Sequence, residues 1–171
     1  MNKKLTFLLS LTFLFLVGCG EEMKEGAYKQ YYDSGELMKE THYKNGKREG
    51  LVTYWYKNGG KQYEVLWENG KPEGLGTGWY ESGKKEFETH WKNSKLEGLE
   101  TTWYMNGRKK LSQRYKNGYL EGMKTEWYES GKKKSTSHYK NGIENGFRKE
   151  WDINEKITFQ GNFIDGSEEI K

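Results

Sequence analysis

The chain has few of the residues from which enzymes build reactive sites. Its 171 residues include one cysteine, one proline and three histidines, and aspartate occurs only at positions 33, 152 and 165. A single cysteine excludes an intramolecular disulfide, and no candidate nucleophile has a credible base beside it in the sequence. The glycines follow extended segments instead of opening helices, which argues against a phosphate-binding loop. We therefore predict a non-catalytic protein without a cofactor.

An excess of charge of one sign is also missing. The formal net charge is +4, and two of those charges come from Lys3 and Lys4 near the N-terminus. A balance this close to neutral does not indicate nucleic acid as a partner. Hydrophobic residues make up only 33% of the chain, yet aromatic residues reach 16%. Disordered chains are poor in aromatics, so this composition favours a thin folded structure that buries tryptophan and tyrosine.

The one long apolar run lies at the N-terminus. It extends from Leu5 to Val17, follows the two lysines and ends in Leu16-Val17-Gly18-Cys19. The run is shorter than the about 20 residues of a spanning helix and is typical of an export signal. Its end resembles the lipobox of bacterial lipoproteins, in which the cysteine is acylated. We predict a lipoprotein signal peptide over residues 1–18, and lipidated Cys19 with a polar tether over residues 19–25.

That N-terminus predicts a location. Acyl chains on Cys19 would hold the protein to a membrane of the bacterial cell envelope. Gly20 follows the cysteine where an aspartate would favour retention in the inner membrane. The resemblance therefore implies the outer membrane or the cell surface.

The remainder of the chain repeats with a fixed step of 24 residues. The six units, called units 1 to 6 below, start at Gly26, Gly50, Gly74, Gly98, Gly122 and Gly146. A first aromatic residue recurs at Tyr31, Trp55, Trp79, Trp103, Trp127 and Trp151, and a second at Tyr43, Trp67, Trp91, Tyr115, Tyr139 and Phe163. Self-similarity at a fixed period is the signature of repeat architectures. We predict one repeat domain over residues 26–166 and a polar tail over residues 167–171.

Each unit contains two extended runs separated by a glycine-containing turn, which is the pattern of a β-hairpin. In unit 2 the runs are Leu51–Tyr56 and Lys61–Trp67. Strand alternation leads us to place the odd-numbered residues of both runs, including Trp55 and Trp67, on one face. A shared face requires an odd number of residues in the turn, and a three-residue loop closed by a left-handed glycine meets this requirement. The glycines that would take this role are Gly59, Gly83, Gly107 and Gly131.

The predicted fold is all-β: an elongated, single-layer antiparallel sheet of about six stacked 24-residue hairpins. The segments that join the units, such as Asn45–Gly50 and Asn69–Gly74, carry two glycines and alternating charges. We predict that they are solvated loops with weak ion pairs.

The run Tyr43-Lys44-Asn45-Gly46-Lys47-Arg48-Glu49-Gly50, followed by a Trp-Tyr-x-x-Gly motif, resembles the MORN-repeat proteins and especially the bacterial MORN-repeat variant family. The resemblance covers nearly all of residues 26–166. It implies a repeat scaffold with an elongated antiparallel sheet. For many bacterial members it also implies an antitoxin in a toxin–antitoxin pair, although a cytoplasmic antitoxin would not need a lipobox. An immunity protein that faces a secreted toxin fits both features.

The aromatic stripe is the candidate binding surface. Its main expected role is to form the core of the sheet, but a single layer leaves part of the stripe exposed to solvent. Three uses stay open: a protein-binding or self-association surface, sugar stacking, and contact with lipid headgroups. The candidate residues are Trp55, Trp67, Trp79, Trp91, Trp103, Tyr115, Trp127, Tyr139 and Trp151.

The histidines do not predict a metal site. His42, His90 and His138 occupy the same position in alternate units, so neighbours would be roughly 19 Å apart across four strands. A metal ion needs all its ligands within about 2 Å. The sequence thus predicts an envelope-anchored interaction module or scaffold with an unidentified protein partner, and an antitoxin or immunity protein as the alternative.

Overall fold

The computed structural model describes residues 23–169 as one antiparallel sheet of stacked hairpins, which confirms the predicted fold class. Twelve strands have six to nine residues and five have two. In chain order they are β1 Gly26–Tyr31, β2 Leu37–Lys44, β3 Lys47–Arg48, β4 Gly50–Trp55, β5 Lys61–Glu68, β6 Lys71–Trp79, β7 Lys85–Lys92, β8 Lys95–Leu96, β9 Gly98–Trp103, β10 Lys109–Lys116, β11 Tyr119–Leu120, β12 Gly122–Trp127, β13 Lys133–Lys140, β14 Ile143–Glu144, β15 Gly146–Trp151, β16 Ile157–Ile164 and β17 Ser167–Glu168.

The ends of the chain differ from the expectations in one respect. Ser167 and Glu168, predicted to lie in a polar tail, pair with Ile164 and Phe163 and extend the sheet. The predicted signal peptide and Cys19 lie outside the described residues. Among residues 23–169, no helix is long and apolar enough to cross a membrane.

The turn inside each unit is the predicted three-residue loop. In unit 2 the Gly59 N–H donates to the Tyr56 carbonyl at 2.9 Å, and the Tyr56 N–H donates to the Gly60 carbonyl at 2.9 Å. Gly59 has a φ of 82°, a left-handed conformation that glycine adopts without a Cβ clash. The same geometry recurs, with φ between 82° and 89°, at Gly83, Gly107 and Gly131.

A β-bulge follows this turn and changes the pairing of the two strands. Trp55 lies opposite Lys61, but Tyr54 lies opposite Tyr63, so Gln62 has no partner. An extra residue of this kind bends the strand and shifts its register. The bulge recurs in every unit, at Met38, Gln62, Glu86, Lys110, Lys134 and Thr158.

Because of this bulge, the prediction that all the aromatic residues share one face is wrong. Val52 lies opposite Val65, and Tyr54 opposite Tyr63, so even positions of β4 share a face with odd positions of β5. A shift of one residue moves a strand's side chains to the opposite face. We call the face of Val52 and Val65 the valine face and the face of Leu51 the leucine face. The first aromatics, Trp55, Trp79, Trp103, Trp127 and Trp151, lie on the leucine face. The second aromatics, Trp67, Trp91, Tyr115 and Tyr139, lie on the valine face.

The segments between units are exposed at their turns, as predicted, but they are not loops, because their residues pair within the sheet. Asn69 and Gly70 have φ values of 51° and 81° and join Glu68 to Lys71 in a two-residue hairpin turn, a type I′ geometry. The Asn69 N–H donates to the Glu49 carboxylate at 2.8 Å, and the Gly70 N–H donates to the Arg48 carbonyl at 2.8 Å. The glutamates that bond the next turn in this way are Glu25, Glu49, Glu73, Glu97 and Glu121.

A second ladder of bonds joins the units at the opposite ends of the long strands. The Tyr56 hydroxyl donates to the Trp79 carbonyl oxygen at 2.7 Å. Equivalent bonds link Tyr32 to Trp55, Tyr80 to Trp103, Tyr104 to Trp127 and Tyr128 to Trp151. In unit 6 the tyrosine is replaced by Asp152, whose carboxylate accepts the Asn154 and Lys156 N–H groups of its own turn. The hydrogen bonds of Asp152 therefore stay within unit 6, as expected of a terminal repeat, which has no following unit to bond.

Candidate functional site

The valine face changes in character along the array. Its central row is Thr41, Val52, Val65, Gly76, Thr89, Glu100, Gln113, Lys124, Ser137 and Arg148, each opposite the next in neighbouring strands. Units 2 and 3 supply small and apolar side chains, of which Val52 and Val65 are 2% and 3% exposed. Units 4 to 6 supply charged and amide side chains. One sheet thus carries two chemically different surfaces on the same face.

The charged side chains on this part of the valine face form ion pairs with one another. Lys124 lies 2.8 Å from Glu126, and Arg148 pairs with Glu150 and with Glu144. Burial would raise the pKa of Glu126, but hydrogen bonds and charge from Lys124 outweigh burial and hold that pKa below its ordinary value. The hydrogen bond to Glu150 raises the pKa of Arg148. These groups stabilise one another, so this region serves the fold.

The apolar part contains a cleft of about 470 Å³ where units 2, 3 and 4 meet. Unit 3 has Gly76 and Gly78 at the positions that Val52 and Tyr54 occupy in unit 2, and the side chains of Tyr63, Phe87 and Trp91 pack directly on these glycines. The rings of Tyr63, Phe87 and Trp91 form one side. The remaining lining residues are Tyr80, Glu86, Thr89, Leu96, Glu100, Thr102, Trp103 and Lys110.

Polar groups converge on Gly76. A Cβ placed there would lie 2.9 Å from the Tyr63 hydroxyl and 3.1 Å from the Trp91 Nε1. That indole N–H is buried and has no hydrogen-bond partner among the described residues. Burial also raises the pKa of Tyr63. Because these groups lie where a Cβ would be, a side chain at position 76 would displace them, and the glycine allows them to pack on the backbone.

The leucine face carries a stripe of exposed apolar side chains, one from each of units 2 to 6. We call Leu51, Leu75, Leu99, Met123 and Phe147 the apolar stripe; their exposed fractions are 47%, 47%, 45%, 55% and 49%. Neighbouring members are two strands apart, or about 9.6 Å. The first tryptophans run beside the stripe, with Lys61 and Lys85 lying 5.8 and 5.6 Å from the ring centroids of Trp79 and Trp103.

The histidines lie beside this stripe as well. The Nδ1 atoms of His42, His90 and His138 lie 3.1, 3.0 and 3.2 Å from the carbonyl oxygens of Leu51, Leu99 and Phe147. A ring N–H at this position can donate to the carbonyl. Within residues 23–169, no three His, Cys, Asp or Glu side chains come close enough to hold a metal ion.

The structure thus divides the predicted binding residues between two surfaces. Of the nine aromatic candidates, Trp91 lines the cleft from the valine face, and Trp103, the last residue of β9, borders it at the end of the strand. Sequence reasoning missed the residues that form the rest of the cleft, such as Tyr63, Phe87 and Glu100, and it missed Gly76 and Gly78, on which the rings pack. The signal was in the repeat: unit 3 reads Leu-Gly-Thr-Gly-Trp where unit 2 reads Leu-Val-Thr-Tyr-Trp.

Comparison with known proteins agrees with this geometry. The family model described as MORN repeat variant matches residues 24–45, 48–71, 72–93 and 120–141, which together make up more than half of the chain. All four matches end in or next to a two-residue turn between units. The search of curated proteins found no match.

Proposed function

The chain belongs to the MORN repeat variant family, whose members are generally non-catalytic binding or scaffold modules, and we propose that this protein is a lipid-anchored interaction module of the bacterial cell envelope. In this proposal Cys19 carries the acyl chains, and the apolar stripe on the leucine face binds a partner protein. The observation that carries the proposal is the stripe itself. Its five side chains are about half exposed and keep one register over five units.

The spacing and surroundings of the stripe favour a protein as the partner. Contiguous exposed apolar surface on a soluble domain marks an interaction site, and five members about 9.6 Å apart extend over roughly 40 Å. A small ligand would contact one or two units, whereas an extended protein segment can contact all five. Ion pairs border the stripe, with Lys61 2.5 Å from Glu64 and Lys85 2.6 Å from Glu88, and they supply the polar rim that protein interfaces have.

Three substitutions in the stripe test this binding. Leu75→Ser, Leu99→Ser and Met123→Ser together should abolish capture of the partner, at least a tenfold loss, because these exposed side chains contribute contact area and little to folding. The readout is crosslinking in intact cells from a photoreactive residue at position 51, followed by mass spectrometry of the adduct. Far-UV circular dichroism and the urea midpoint should stay near those of the unmodified protein.

The matched control replaces three exposed turn residues at one repeat position, Lys84, Lys132 and Lys156, with serine and should leave the crosslinked adduct unchanged. Equal loss in both variants, or an adduct that persists without the stripe, would rule out the stripe as the binding surface. If the crosslinked partner is a secreted toxin and co-expression restores growth, the module acts as an immunity protein. If it is another envelope protein, the scaffold role holds.

Membrane anchoring has its own test. Cys19→Ser should move the protein from the membrane pellet to the soluble fraction, because stable anchoring needs acyl chains and none can be attached to serine. Metabolic labelling with an alkyne fatty acid should tag the unmodified protein and leave the variant unlabelled. A variant that still sediments with membranes would contradict the anchor.

A further inference from the structure

We propose that the cleft on the valine face binds an organic cation, and that its occupant is the side chain of a lysine or arginine on a partner chain. The inference is independent of the apolar stripe, since the two surfaces lie on opposite faces of the sheet. It stands on three observations: rings without a cation of their own, a carboxylate without an ion pair, and a cavity that faces both.

Several aromatic rings of the valine face already have a cation above them. Arg48 lies 4.6 Å from the Trp67 ring centroid, and Lys39 lies 4.8 Å from that of Tyr54. Lys24 covers Tyr43 at 5.2 Å, and Arg148 covers Phe159 and Phe163 at 5.3 and 5.7 Å. Cations in this range are attracted by the negative face of the ring. Pairing with a cation is therefore a recurring feature of this surface.

Within the described part of the chain, the rings of the cleft lack such a cation, as do the single rings of Tyr115 and Tyr139. Tyr63, Phe87 and Trp91 have no lysine or arginine of residues 23–169 above them. The repeat explains the difference for Trp91, because the position 24 residues after Arg48, which covers Trp67, is occupied by Pro72. The ring centroids of Tyr63 and Phe87 are 5.7 Å apart at 32°, so the two rings offer one continuous π surface.

The far side of the cleft supplies negative charge. Glu100 accepts a hydrogen bond from Gln113 Nε2 at 2.5 Å, and none of residues 23–169 forms a salt bridge with it. Glu126 and Glu150, on the same face, are each paired with a cation. At the rim, Glu86 adds a second carboxylate, and Lys110 lies 5.7 Å from the Tyr104 ring centroid. The formal charges that line the cleft therefore sum to −1.

Rings on one side and a carboxylate on the other form a site for an ammonium or guanidinium group. The rings attract the charge and pack against the alkyl stem, and the carboxylate accepts hydrogen bonds from the head. A neutral sugar could stack on the same rings, but it would gain nothing from the charge of Glu100. A lysine or arginine side chain uses both sides of the cleft, which favours it as the occupant.

The experiment compares matched probes on the folded residues 20–171. Nα-acetyl-lysine methylamide or its arginine equivalent should bind at least fivefold more tightly than Nα-acetyl-norleucine methylamide, which keeps the alkyl stem and lacks the charge. Binding is followed through the ¹⁵N indole resonance of Trp91, assigned with Trp91→Phe. Glu100→Gln keeps the acceptor for Gln113 and should weaken the lysine probe at least fivefold. Glu88→Gln, on the leucine face, should not.

Further arms separate other occupants. Choline that binds as well as the lysine probe, while its neutral isostere 3,3-dimethylbutan-1-ol does not, would support the cation chemistry and assign a free ammonium compound as the source. Glucose that shifts the Trp91 resonance while neither charged probe does would overturn the proposal in favour of a sugar site. Equal affinity for the lysine and norleucine probes, or no effect of Glu100→Gln, would also overturn it. Gly76→Val, checked for folding by circular dichroism, should abolish all binding at the cleft.

Discussion

Deleting twelve residues from the array is expected to destabilise the protein far more than deleting twenty-four. Removal of residues 122–145 takes out one complete unit and joins Glu121 to Gly146, the same Glu-Gly step that precedes units 2 to 5. The Tyr104 hydroxyl then reaches the Trp151 carbonyl, and Glu121 reaches the N–H of the following turn. Every bond between units has an equivalent, so the shortened array should fold with about one sixth less surface buried.

Removal of residues 122–133 takes out one long strand and its three-residue turn. The next strand would then start with Lys134 and would end in the two-residue turn at Asn141, where a three-residue turn belongs. Tyr128 is lost, and with it the bond to Trp151. Residues 134–169 cannot rejoin the sheet in register, and the cluster around Arg148 is lost with them.

Urea unfolding and hydrogen exchange would separate the two variants. The shorter chain without residues 122–145 should keep a cooperative transition with a slightly smaller denaturant dependence. The chain without residues 122–133 should lose amide protection throughout residues 134–169. Comparable stability of the two variants would mean that the units do not stack through their equivalent ends, which contradicts the two hydrogen-bond ladders.

The period of 24 was sufficient to predict the fold from the sequence, because repetition constrains all units together. Identical steps require equivalent neighbours, and Asn-Gly or Ser-Gly between short β-rich runs requires hairpins. The three-residue turn could also be deduced, and Gly59 has the positive φ expected of it. These conclusions depend on the residue types in the turns and on the fixed period, and both can be read directly from the sequence.

The division of the aromatics between two faces could not be deduced, because the bulge has no residue signature. The unpaired position is occupied by Gln62, Glu86, Lys110 and Lys134 in successive units, and none of these residue types indicates an interrupted ladder. Parity counting assumes an unbroken strand from the turn onward. One unpaired residue reverses the result for the whole strand.

The turns between units could have been recognised. Asn-Gly at positions 45–46, 69–70, 117–118 and 141–142 is the strongest sequence signal for a type I′ hairpin. The alternating charged residues that follow each Asn-Gly pair favoured the prediction of a solvated loop instead. The partner of Glu49 is the backbone of the next unit, a contact between residues 20 apart in sequence that charge pattern alone does not reveal.

The cleft could be located only once the register was known. The glycines at positions 76 and 78 show that unit 3 differs from its neighbours, but their effect depends on the face to which those positions belong. On the valine face they let the rings of Tyr63, Phe87 and Trp91, which line the cleft, pack directly on the backbone. On the leucine face the same two glycines would remove two side chains from the surface and would contribute nothing to the cleft.

Replacing the four ladder tyrosines Tyr56, Tyr80, Tyr104 and Tyr128 with phenylalanine together is expected to lower the free energy of unfolding by about 4 kcal/mol. Each substitution keeps the ring and removes one hydroxyl that donates to a tryptophan carbonyl at 2.6–2.8 Å. A bond of this kind contributes about 1 kcal/mol. The four sites lie in different units, so their effects should add. A single variant such as Tyr80→Phe should lose about 1 kcal/mol in urea unfolding.

The same ladder predicts a dependence on alkaline pH. Burial raises the pKa of Tyr56 and Tyr80 above the ordinary value of tyrosine, so the folded state retains those protons longer than the unfolded state does. Their contribution to stability is complete below about pH 10, the pKa of an unfolded tyrosine, and is lost as the pH rises through the folded-state pKa. The fourfold phenylalanine variant lacks these groups, and its stability should fall less steeply above pH 10.

The control for both effects is the pair Tyr31→Phe and Tyr119→Phe, because these rings are 57% and 61% exposed. That control should change the free energy of unfolding by less than about 0.5 kcal/mol and should keep the alkaline slope of the unmodified protein. If the fourfold variant matches the control at neutral pH, the hydroxyl-to-carbonyl bonds do not couple the units. Stacking would then depend on the backbone pairing and the glutamate-capped turns, and substitution of Glu49, Glu73, Glu97 and Glu121 by alanine would become the larger perturbation.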